Sequence, residues 1–111
     1  MSDDLYCKVY LKGPPSLEAM RTVLTGVTGV AFDRRTLTTG PLIIDLLANV
    51  DGSGEDFVTW PFYLEIDATT GAEAAPFIAE IRRLLTGLQA ASVQTVPSCD
   101  FEDQLRTEPC P

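Results

Sequence analysis

A two-layer α+β domain, with two helices on one face of a four- or five-stranded antiparallel sheet, is what three features of this sequence predict. "LYCKVYLK" alternates apolar and polar residues with the period of two expected of a half-buried strand. Two later stretches carry apolar residues at the three- and four-residue spacing of amphipathic helices. A short echo, "VLTGVTGVAF" in the first half and "LLTGLQAASVQTV" in the second, suggests two similar halves in which a helix hands over to a strand.

In the first strand Leu5, Cys7, Val9 and Leu11 share one face, and Tyr6, Lys8, Tyr10 and Lys12 the other. "GPP" ends it. Ser16 is placed to cap a helix whose apolar positions Leu17, Met20, Val23, Leu24 and Val27 recur until Gly29, with Glu18 at the positive end of the helix dipole. "VAFDRRTL", the turn-like "TTGP", "LIIDLLANV", the loop "DGSGED" and the alternating "FVTWPFYLEID" then make two or three hairpin-connected strands. Pattern leaves open whether Val30–Leu37 is a separate strand or the first part of one running to Val50. Phe77, Ile81, Leu84, Leu85 and Leu88 define the inner face of a second helix, with Pro76 in its first turn, and "SVQTVPS" supplies a last short strand. This order is that of a ferredoxin-like βαββαβ sandwich. Right-handed crossovers place both helices on one side and leave the other side of the sheet open. Residues 1–98 are read as a single α+β domain and 99–111 as a C-terminal acidic segment and tail.

The 111 residues suffice for one core. Eight basic and sixteen acidic residues give a formal charge of −8. Such a surface repels phosphate backbones and anionic headgroups, so nucleic acid and membrane are not expected partners, whereas a basic protein would be steered inward. "MSDDLYCKVYLKG" has acidic residues where a secretory signal carries basic ones, and Asp45 interrupts the most apolar run, "PLIIDLLANV". A cytoplasmic location is expected. Cys7, Cys99 and Cys110 form neither a C-x-x-C pair nor an even disulfide framework, which fits a reducing compartment, separate thiols and no intramolecular disulfide.

The sequence holds no histidine, which removes the commonest general base and the commonest nitrogen ligand for zinc. Cys7 alternates inward as a small apolar residue, and Asp100, Glu102 and Asp103 would suppress the thiolate of Cys99. Glu65 and Asp67 share a strand face, with Asp45 on a neighbouring strand, a cluster that works as acid and base only inside a cleft and is otherwise a solvated surface. "DGSGED" lacks the order of a calcium loop, and no glycine-rich phosphate loop is present, although Arg34 and Arg35 offer local positive charge. No catalytic residue, metal site or cofactor is expected.

The most informative feature is the sheet face away from the helices. If Val9, Ile44, Leu46, Leu64 and Ile66 point to the core, then Tyr6, Tyr10, Ile43, Leu47 and Tyr63 point outward with Lys8, Asp45 and Glu65. Three tyrosines and two aliphatics are more apolar than a wet face requires. Two explanations stand side by side: an intermolecular contact, or coverage by the segment from Asp100 onward. In "SCDFEDQLR", Phe101 and Leu105 are four apart and can share one side of a helical turn, while Asp100, Glu102 and Asp103 give the rest an acidic surface. The pattern is that of a docking segment.

Trp60, Pro61, Tyr63 and Glu65, with Cys99, Asp100, Phe101, Glu102 and Asp103, resemble the C-terminal half of small bacterial ferredoxin-like proteins. In those a Trp-Pro strand is followed by a helix and a terminal Cys-Asp-Phe-Glu-Asp segment. The resemblance covers roughly residues 57–105 and implies a fold but no particular activity. In size and charge the chain is also similar to acidic immunity proteins that block basic toxin domains. The expectation is a non-enzymatic protein-binding module, its sharpest form an immunity-type inhibitor, with a homodimer through the open face as a further possibility. The alternative is a small-molecule sensor or small enzyme with Glu65, Asp67, Tyr63 or Asp45 in a pocket.

Overall fold

The computed structural model describes residues 5–48, 60–99 and 105. In chain order these form β1 (Tyr6–Lys12), α1 (Leu17–Thr28), β2 (Thr36–Thr39), β3 (Leu42–Ala48), β4 (Phe62–Ala68), α2 (Ala74–Ala90) and β5 (Gln94–Ser98). The strands make one antiparallel sheet in the order β2-β3-β4-β1-β5. β1 and β3 thus run parallel with β4 between them, and β4 and β5 run parallel with β1 between them. These are the two split βαβ units of the ferredoxin-like sandwich. β2 is an added strand on one edge.

Local chemistry fixes the ends of α1. Ser16, extended at φ −152°, accepts a hydrogen bond from the Ala19 N–H at 3.1 Å. Gly29 at φ 75° takes the left-handed conformation that glycine adopts without a Cβ penalty, and its N–H donates to the Thr25 carbonyl at 2.8 Å. α2 begins at an extended Glu73 with no side-chain cap, and Pro76 occupies its first turn, where the missing N–H has no helical partner to lose.

Alternation along the strands then sorts the residues. Cys7, Val9 and Leu11 of β1, Leu37 of β2, Leu42, Ile44 and Leu46 of β3, and Phe62, Leu64 and Ile66 of β4 are all buried. They join Met20 and Leu24 of α1 and Phe77, Ile81, Leu84, Leu85 and Leu88 of α2 in a single apolar cluster, so both helices lie on one face. α1 and α2 approach closely at Gly87, where a Cβ would stand 2.6 Å from Cγ1 of Val27. Leu105, beyond β5, is 1 % exposed and belongs to the same cluster.

The stretch Val30–Leu37 resolves into a turn and the start of a separate strand. Asp33 and Thr36 exchange backbone hydrogen bonds of 2.8 and 3.1 Å, with Arg34 at φ 62° between them, and only then does β2 begin. A two-residue turn, Gly40–Pro41, joins Thr39 to its partner Leu42, Gly40 supplying the positive φ of 55°. Among the described residues, three strands therefore separate α1 from α2. Trp60 and Pro61 precede β4, while the loop "DGSGED" and the start of the predicted strand at 57–59 lie outside the described residues.

Candidate functional site: the open face of the sheet

The register turns the outward residues of five strands into cross-strand rows. One row runs Thr36, Asp45, Glu65, Lys8, Ser98; a second runs Leu47, Tyr63, Tyr10, Val96; a third runs Thr38, Ile43, Asp67, Tyr6. The six described residues singled out from the sequence, Tyr6, Tyr10, Ile43, Leu47, Tyr63 and Glu65, thus share one face. Asp100, Phe101, Glu102 and Asp103 lie outside the described residues.

An aromatic pair marks the centre. Tyr10 and Tyr63 are direct cross-strand partners, their ring centroids 6.4 Å apart and tilted by 47°. The Nζ of Lys8 lies 4.5 Å from the Tyr63 centroid and 5.1 Å from that of Tyr10, within cation–π range of both. Its backbone neighbour on β4 is Glu65, itself opposite Asp45 of β3. Asp45 accepts a hydrogen bond from the Thr36 hydroxyl at 2.6 Å, which orients the carboxylate across the β2–β3 seam. At one end of the face, Lys12 Nζ lies 5.9 Å from the Trp60 ring. At the other end sits Tyr6, the large apolar side chain most open to solvent among the described residues at 37 %. Partial burial, then the charges of Glu65 and Asp67, push the Tyr6 phenol above its ordinary value. It is therefore neutral, a hydrogen-bond donor beside two carboxylates.

This arrangement presents rigid aromatic area with charges at fixed positions around it. A cavity of about 230 Å³ lies instead on the helix side, between the end of α1 (Val27, Thr28), α2 (Glu80, Arg83) and the β2–β3 turn (Thr39, Leu42). None of Asp45, Tyr63, Glu65 or Asp67 lines it. Among the described residues, no three cysteine or carboxylate side chains gather as metal ligands, and no helix is long and apolar enough to cross a membrane.

Three features escape a reading along the chain. Val96 extends the tyrosine row and Thr36 holds Asp45, and both depend on pairings, β1–β5 and β2–β3, that no local pattern specifies. The third such pairing is chemical. Cys7 and Cys99, 92 residues apart, bring their Sγ atoms to 2.8 Å. The one sequence signal for this is that Cys7 alternates inward on β1 and Cys99, one residue past β5, continues the inward alternation of Thr95 and Pro97.

No protein-family model, curated protein or solved structure matches the chain.

Proposed function

We propose that this protein is a non-enzymatic binding module, located in the cytoplasm, whose open sheet face docks a basic protein partner. The Tyr10–Tyr63 pair carries the reading: two half-buried rings packed across neighbouring strands at the centre of a face that the helices leave uncovered. Tyrosines are enriched at protein interfaces because they bury large, rigid area at low entropic cost while keeping a polar tip. Asp45 and Glu65 lie in the row beside them and Asp67 in the row beyond, and Lys8 is the basic residue in the middle of the face. A partner carrying arginine or lysine finds both carboxylates and aromatic surfaces, and a charge of −8 steers it in. The same charge opposes pairing of the face with a second copy. An inhibitor that covers the basic, nucleic-acid-binding surface of another protein is the sharpest form of this proposal.

The test compares capture from a native cell extract by the wild-type chain, by Tyr10→Ser/Tyr63→Ser and by Glu65→Lys, each first checked for an unchanged circular dichroism spectrum. Proteins of high isoelectric point should be retained by the wild type and lost with both variants, the tyrosine pair weakening binding by more than the ~1 kcal/mol that separates hot spots from neutral contacts. Retention unaffected by either change would remove the sheet face as the binding surface. A wild-type dimer in sedimentation equilibrium that the tyrosine variant dissolves would replace the basic partner with self-association.

A further inference from the structure

We propose that Cys7 and Cys99 form a reversible disulfide, through thiol–disulfide exchange with a small disulfide of the glutathione class. The ladder between β1 and β5 pairs Val9 with Pro97 and Lys8 with Ser98, so the next step outward sets Cys7 against Cys99. Alternation turns both toward the core side, and their sulfurs stand 2.8 Å apart. A disulfide bond is about 2.0 Å long, so bonding needs a small side-chain adjustment and no change of register.

Access divides the labour. Cys7 is wholly buried, whereas Cys99, at the end of an edge strand, is part-exposed and reachable. Cys99, slowed but not stopped by the acidic residues that follow it in sequence, gives its proton to solvent, and its thiolate attacks one sulfur of the small disulfide; the other sulfur leaves as a thiolate and takes up a proton. Cys7 then loses its proton and attacks the Cys99 sulfur of the mixed disulfide, expelling the second small thiol. Two protein thiols have lost two electrons and two protons, and the small disulfide has become two thiols. The product ties the end of β5 covalently to β1 and closes a loop over most of the chain. It stands independently of the binding face.

The full-length chain is equilibrated in graded ratios of oxidised to reduced glutathione, quenched by acid, alkylated under denaturing conditions and digested for mass spectrometry. As the ratio rises, Cys7 and Cys99 should lose alkylation together and a peptide pair linking them should appear, lighter by two hydrogen atoms and restored by dithiothreitol. Cys110→Ala should behave identically. Cys7→Ala should instead trap a glutathione adduct on Cys99, and Cys99→Ala should leave Cys7 unmodified. Full alkylation of both cysteines at every ratio would overturn the proposal. So would linkage of Cys99 only to Cys110 or to a second chain, or loss of the bond in Cys110→Ala.

Discussion

Tyr6 shows how a single side chain reports on its face. Burial first, then Glu65 and Asp67, favour its neutral form in the folded protein, so its folded value lies above that of the unfolded chain. A group raised in this way contributes stability that is complete below the ordinary tyrosine value and is lost as pH climbs through the folded value. Tyr6→Phe should therefore flatten the alkaline decline in unfolding midpoint and leave stability near neutrality within ~0.5 kcal/mol. Urea midpoints measured from neutral to strongly alkaline pH for both chains check this, and parallel declines would show that Tyr6 does not titrate in that corner. The outward direction of Tyr6 is written in the alternation of β1. Its position opposite Asp67 is not, because register between β1 and β4 is set by two strands 50 or more residues apart, and a slip of one residue would have turned every side chain over.

At the scale of elements, the helices are the most legible part of this chain. Ser16, Gly29 and Pro76 occupy the cap and first-turn positions their chemistry suits, and all five apolar residues assigned to the inner face of α2 are buried. The stretch "VAFDRRTL" is less legible, since its composition suits a strand while the left-handed Arg34 breaks it into a turn closed by the Asp33–Thr36 backbone bonds and tied to β3 by the Leu46 N–H donating to the Arg35 carbonyl. How the two helices meet is likewise invisible in either helix alone. Gly87 looks like an interior glycine that alanine should improve by up to ~1 kcal/mol, and for Gly26, where an added methyl would meet nothing within 4 Å, that gain is expected. At Gly87 the added methyl would collide with Val27, whose β-branched side chain has few alternative rotamers. Gly87→Ala should lose ~1–2 kcal/mol despite its better propensity, and Val27→Ala in the same chain should recover much of that loss. Denaturant unfolding of the four chains tests this, and a stabilised Gly87→Ala would show that the helices can part at no penalty.

Over the whole molecule, the two-layer plan follows from apolar stripes that need a common partner, which is why fold class could be read from pattern while the face covered by no helix could be read only as a remainder. One residue extends the core past the last strand. Leu105 is buried in the apolar cluster to which both layers contribute, so Leu105→Ala should lose ~3 kcal/mol, as truncations of packed leucines do. A loss below ~1 kcal/mol in urea unfolding followed by Trp60 fluorescence would place it outside the cooperative unit. The strand order carries a consequence for synthesis. β1 is synthesised well before both its hydrogen-bonding neighbours, β4 and β5, which follow it by 50 or more residues. Until residues 62–68 have left the exit tunnel β1 is an unpaired, partly apolar strand, and until residues 94–98 follow, one of its edges stays open to other nascent chains. A chaperone that shields nascent strands would therefore act on this protein through β1, long before the face that β1 helps build exists.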